Sequence, residues 1–209
     1  MNEDLKINLE KIVKKYTEGA YYKNLLEAKK EYFILTGQIN EDDEDYESRM
    51  NNFNDWYILQ FISADQKKTA LTDYLENNPE NKEEFAPLLS FNHSLFEFKG
   101  ENFKGYKVLK DWIHGKKIIL SKECSMPAIV EGDIFSGRVI HQQAHTYLLE
   151  GLCILPKEIK GVLIQAAQKV GSKKDIYQEL NFLMKIEFFK TKWHRYGHLE
   201  PEKIFKFDY

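Results

Sequence analysis

Apolar residues recur at helical spacing over the first ninety positions, break into short runs between turn formers, and return to helical spacing near the end. Leu5, Leu9, Ile12, Val13 and Tyr16 follow the spacing of one buried stripe and predict a first helix. Leu25, Leu26, Tyr32, Phe33 and Leu35 predict a second, ended by Gly37. The acidic run Glu41 to Asp45 then falls at the start of a third, where the helix dipole favours negative charge. Tyr46, Met50, Phe53, Tyr57 and Phe61, widened by Trp56 and Leu59, make that helix aromatic and the expected centre of a helical core. Thr69 to Glu76 and Glu83 to Leu89 predict two shorter helices, the first stopped by Asn77-Asn78-Pro79.

From Ser94 to Pro156 the pattern changes. Ser94–Phe98, Lys117–Leu120, Asp133–Ile140 and Thr146–Ile154 read as four strands of one antiparallel unit, with Gly132 as a turn and Gly137 as a bulge or close approach. The last two runs should form a hairpin around His141 to His145. So small a sheet is stable only if it curls or is covered by helices. Pro156 opens a helix ended by Gly171, and a final one, capped by Ser172, carries Ile176, Leu180, Leu183, Ile186 and Phe189. Leu199–Tyr209 reads as an aromatic arm that docks. The expectation is an α+β protein in one or two compact domains. It has a helical region (1–93), a small antiparallel, twisted or barrel-like β-unit (94–156), and C-terminal covering helices with a tail (157–209).

Composition sharpens this. In 209 residues, 43% hydrophobic and 14% aromatic content is ample for a core. The net charge of −3 hides an asymmetry: 11 basic and 19 acidic residues in 1–93, 8 and 7 in 94–155, and 11 and 7 in 156–209. No apolar run is long enough for a membrane helix, and the acidic start lacks a signal peptide's apolar core, so a cytoplasmic protein is expected, without a membrane partner. Cys124 and Cys153 lack metal-site spacing and are expected as reduced thiols.

No residue pattern announces a reaction. His194 and His198 are four apart, but Gly197 interrupts them. His141 and His145 flank a turn, and neither pair brings a third ligand, so no metal and no cofactor is expected. Ser125 and Cys124 lie in no nucleophile elbow, and no phosphate-cradling glycine loop occurs, so no catalytic residue is assigned. Asp55 and Asp133, with Glu131, are candidate carboxylates, more ordinarily salt-bridged or on the surface. Arg138 inside an apolar strand should either point to solvent or be held by a carboxylate through paired hydrogen bonds. Lys157, Lys160, Lys169, Lys173, Lys174, Lys185, Lys190, Lys192 and Arg195, interleaved with Phe and Trp, make a candidate RNA face, although a solvated helix surface explains them more simply.

Two stretches carry a resemblance: Tyr46 to Tyr57, with Arg49-x-x-x-Phe53-x-Asp55-Trp56, and the series Leu95–Phe98, Val108–Lys116 and Glu131–Val139. Over roughly residues 40–156 the chain resembles a loosely defined group of bacterial proteins without assigned reaction, in which such a helix precedes a β-unit and a SEC-C zinc-binding motif often follows. That cysteine-rich motif is missing here, so functions it carries do not transfer. The resemblance implies an intracellular bacterial protein. The leading functional expectation is a non-catalytic binding or adaptor protein with a protein partner, using Asp55, Trp56, Asp133 and Arg138 as binding or structural polar positions. The alternatives are an RNA- or ribosome-associated factor, or a hydrolase-like enzyme whose site forms only in three dimensions.

Overall fold

The structure, a computed structural model, describes residues 3–126 and 129–207; the side chain of Leu5 and the last two residues of the arm lie outside the described residues. Helices α1 (Glu3–Thr17), α2 (Tyr22–Thr36), α3 (Tyr46–Leu59), α4 (Ala70–Asn77) and α5 (Lys82–Leu89) precede the sheet. Helices α6 (Lys160–Ser172), α7 (Ile176–Arg195) and the short α8 (Pro201–Ile204) follow it. Between them run β1 (Asn92–Glu101), β2 (Lys107–Asp111), β3 (Lys117–Ile119), β4 (Ile134–Gln142), β5 (His145–Leu148) and β6 (Cys153–Leu155). The strands form a curled antiparallel half-barrel ordered β3-β2-β1-β4-β5, with β6 also on β4. This is the α+β architecture the residue pattern predicts, with helices at both ends.

Three local differences have physical causes. Lys107–Asp111 is an additional strand, whose alternation is hidden by its three charged residues. Ser172 does not cap α7, because its hydroxyl turns back to the Lys169 carbonyl; Asp175 caps instead, accepting from the Tyr177 and Gln178 amides. The expected single run Thr146–Ile154 is broken into β5 and β6 at Glu150-Gly151. There α3 presses on the chain so closely that a Cβ on Gly151 would lie 2.6 Å from the Asn52 Cα. The freed Gly151 N–H turns to the Asp55 carboxylate, 3.1 Å away.

Alternation along the strands divides the core. Phe96, Phe98, Phe135 and Val139 join one cluster with the aromatic α3, where Phe53 stacks on Tyr57 and Trp56 lies among Tyr32, Phe53 and Phe61. Leu95, Ile134, Cys153 and Leu155 join a second cluster with α6, α7 and α8. The C-terminal arm docks within the chain: Phe205 is buried, and Phe207 packs on Phe182 and Phe189 of α7.

The contact at Gly151 sets an expected outcome. Gly151→Ala should lose about 1–3 kcal/mol in urea unfolding by overpacking α3. Gly161→Ala, where a Cβ would meet nothing within 4 Å, should be neutral or gain up to about 1 kcal/mol.

Candidate functional site

The half-barrel and the helices meet in a polar seam buried from water. Arg138 is fully buried on β4, and among the described residues no carboxylate bonds it. Its Nε and Nη2 donate to the same Gln60 Oε1 at 2.9 and 2.7 Å, and its Nη1 donates to Asn52 Oδ1. Neither arrangement expected for this residue occurs, since two amide oxygens of α3 and its C-terminal cap replace the carboxylate. With its oxygen taken by Arg138, the Asn52 amide donates through Nδ2 to Glu187 Oε1 at 2.7 Å, and Tyr32 Oη donates to Glu187 Oε2 at 2.6 Å. Burial pushes the Tyr32 phenol well above its ordinary range, which keeps it a donor. Arg49, also fully buried, closes the C-terminus of α2 by donating to the Thr36 and Gly37 carbonyls at 3.1 and 3.2 Å; Thr191 of α7 adds its hydroxyl to the Thr36 carbonyl at 2.8 Å.

Asp55 stands one helical turn from Asn52, at the edge of this seam. Other buried carboxylates have cationic or imidazole partners: Asp73 with Lys68 (3.0 Å), Glu97 with Lys160 (2.6 Å), Asp111 with His114 (2.9 Å) and Asp133 with Lys157 (2.9 Å). Both Glu187 oxygens are bonded as described. The one hydrogen bond to the Asp55 side chain among the described residues comes from the Gly151 amide to Oδ2, although only 8% of the residue is exposed. Burial raises its carboxyl to about 6, the Glu150 charge adding to this while the Arg138 charge and the Gly151 N–H oppose it.

Asp55 lines a cleft of about 390 Å³ between α1, α3 and the β5–β6 connection. Leu9, Val13 and Leu149 give it apolar walls, Asn51, Asn54 and Thr17 add neutral polar groups, and Lys6, Glu10, Lys14 and Glu150 ring it with charge. Lys6 Nζ reaches Glu150 Oε1 at 2.7 Å from one wall to the other. This combination suits a small molecule with an apolar body and one polar head. Histidine and cysteine are missing from the lining among the described residues, so it lacks a base-activated thiol or an imidazole relay.

A second cleft, of about 240 Å³, lies between the start of β1 and the N-terminal half of α7. His93 lines it, buried, with no hydrogen-bond partner on either ring nitrogen among the described residues; burial, then the Arg138 charge beside it in the strand register, hold its pKa well below the ordinary imidazole value. His114 lines it too, its Nδ1 2.9 Å from Asp111 Oδ2 and its Nε2 3.2 Å from Glu179 Oε2. That bridge ties the β2–β3 turn to α7.

The polar positions singled out from sequence do not form one constellation. Asp55 and Arg138 flank the same seam. Trp56 faces the aromatic cluster, and Asp133 lies at the other end of β4, accepting from the Val130 amide and pairing with Lys157. His141 and His145 point to opposite faces of their hairpin, the first bonded to Thr146 and the second to Ser121. No group of three His, Cys, Asp or Glu side chains suits a metal among the described residues. Both thiols are free and buried, and no helix among the described residues is long and apolar enough to cross a membrane. The acidic run directly precedes α3, as expected, with Asp45 at the N-cap position, but the Asp45 side chain makes no capping hydrogen bond. Asp45 pairs instead with the buried Lys190 at 2.9 Å. Asn52, Gln60 and Glu187 escaped sequence reading; the one signal for Glu187 is a carboxylate on the apolar stripe of α7, four positions after Leu183. The chain matches no family model, and no curated protein or solved structure is significantly similar to it.

Two substitutions should move stability in opposite directions. Asn52→Leu strands a buried Arg and a buried Glu at once and should cost about 3–5 kcal/mol in urea unfolding. Asp55→Asn keeps an acceptor for Gly151 and removes a buried charge, and should gain roughly 2–3 kcal/mol at pH 7.5, from a shift of about two pKa units.

The pH profile separates the two clefts. A carboxyl raised to about 6 holds its proton in the folded state between pH 4 and 6, so Asp55 stabilises the protein as pH falls through that window. A depressed His93 does the opposite: the unfolded chain takes up a proton that the folded one refuses, and stability drops as pH falls below about 6.5. Thermal melts from pH 7.5 to 4.5 should therefore show a steeper acid loss in Asp55→Asn and a shallower one in His93→Leu.

Proposed function

We propose that this protein is a non-catalytic binding protein whose ligand seats in the Asp55 cleft. The observation that carries the reading is a buried carboxylate with a single backbone hydrogen bond among the described residues, lining a cleft of about 390 Å³ with apolar walls. Buried charges are ordinarily paired, so a carboxylate left short at a cleft has an open position for a ligand's donor. The rigid seam behind Asp55 supports binding, because Asn52 and Asp55 share α3 and Gly151 packs directly on both.

Two other readings are weaker. The aromatic arm that favoured a protein partner is used within the chain, on α7. The basic C-terminal run that favoured RNA is partly neutralised: Lys190 by Asp45, Lys160 by Glu97, Lys157 by Asp133. Intracellular location and a bacterial origin remain expectations of the sequence resemblance.

A fragment screen followed by ¹H–¹⁵N NMR tests the reading. Fragments that bind should shift the amides of Asn51, Asp55, Leu149 and Gly151, and Asp55→Ala should weaken them at least tenfold. Hits confined to other surfaces, or none from a library covering neutral, anionic and cationic fragments, would overturn it.

A further inference from the structure

Resting on the binding reading above, we infer that the Asp55 cleft takes an organic cation, an aliphatic ammonium or guanidinium group carried on an apolar body. The pairing pattern of the buried acids argues for it. Asp73, Glu97 and Asp133 are each met by a lysine, and Asp111 by His114. Among the described residues Asp55 has no ion-pair partner, and the buried Arg138, whose charge acts on it through space, makes its hydrogen bonds to the Gln60 and Asn52 oxygens instead. At the rim, Lys6 is held by Glu150. With Asp55 ionised, the residues lining the cleft comprise two lysines and three carboxylates, and the Arg138 charge behind Asp55 acts on it without a hydrogen bond, so the open side of the carboxylate is where a ligand's positive charge is favoured. An anion would meet a buried carboxylate, and a neutral ligand would leave that charge uncompensated. Leu9, Val13 and Leu149 supply the surface for the apolar body, while Asn51 and Asn54 offer amide oxygens to the remaining N–H groups.

The charge has a linked consequence. An ammonium held at Asp55 favours the carboxylate, so binding expels the carboxyl proton and weakens as pH falls below about 6. The other charged groups facing Asp55 are Arg138 from β4, Glu150 from the β5–β6 connection, and Lys6, Glu10 and Lys14 from α1.

Three probes with the same ring and different charge test this by calorimetry and NMR: benzylamine, benzyl alcohol and benzoate. Benzylamine should bind at least tenfold tighter than either of the others at pH 7.5, lose at least tenfold in Asp55→Asn, and weaken between pH 6.5 and 5. Lys116→Met, at an exposed position outside the cleft lining, should leave its affinity within threefold. Equal or tighter binding of benzyl alcohol or benzoate at the same amides would overturn the cation assignment and leave the cleft standing as a binding site. No shift of the cleft amides with any of the three, together with an empty fragment screen, would sink the binding reading itself. A short amidated Gly-Lys-Gly peptide distinguishes the source of the cation. Tighter binding than benzylamine points to a lysine side chain of a protein partner, and weaker binding to a free amine; both support the cation, whereas an Asp55-independent affinity for both amines overturns it.

Discussion

The amide of Asn52 is the point on which the interior turns. Its oxygen takes a hydrogen bond from Arg138 and its nitrogen gives one to Glu187, so a single uncharged side chain joins a strand of the half-barrel to a helix 135 residues away in sequence. Remove it and two opposite charges remain in a medium of low polarity, each short of a partner. Gln60 and Tyr32 complete the same seam from either side, and Arg49 with Thr191 ties off the end of α2 beside it. Helices α2, α3 and α7 and strand β4 are thereby fixed in one arrangement. Apolar packing alone would allow several, because ring stacks of the kind seen between Phe53 and Tyr57 tolerate sliding.

This seam also explains why Asp55 is held where it is. It lies one turn along α3 from Asn52, and the helix cannot shift to relieve it without breaking the Arg138 bonds. The backbone at Gly151, pressed against α3, supplies one N–H and closes off one side. What is left is a carboxylate held in place with one face toward the cleft.

Most of the architecture was legible from periodicity. The stripes of Ile12 and Tyr16, of Tyr32, and of Phe53 and Tyr57 locate α1, α2 and α3, and the short runs at Lys117, Asp133 and Thr146 locate strands β3, β4 and β5. Hydrophobic pattern fails where burial is polar. Arg49 and Asn52 fall beside Trp56 and Leu59 on the widened stripe of α3, polar residues on an otherwise apolar face, and both are fully buried, because α7 meets them there with Glu187 and Thr191. The partners come from segments more than a hundred positions apart, and nothing local in either segment announces the other. Asp55 and Arg138 were recognisable as unusual by residue type; that both would be dry, and that Arg138 would bond amides instead of Asp55, depended on where Asn52 and Gln60 fell in space. The β5–β6 break is of the same kind. A glycine in a strand signals close approach, but what approaches is α3.

The junction of Tyr32 with Glu187 spans 155 positions, and it has a temporal side. During synthesis, α2, α3 and β4 are all made before α7 exists, and until it emerges Tyr32 and Asn52 lack the Glu187 carboxylate they bond and Arg49 lacks the Thr191 hydroxyl. The N-terminal helices and the sheet can collapse early, but their polar middle must stay hydrated, and the final drying of the molecule waits for the last quarter of the chain. Closure of the polar seam is thus coupled to the arrival of α7, through the placement of one glutamate.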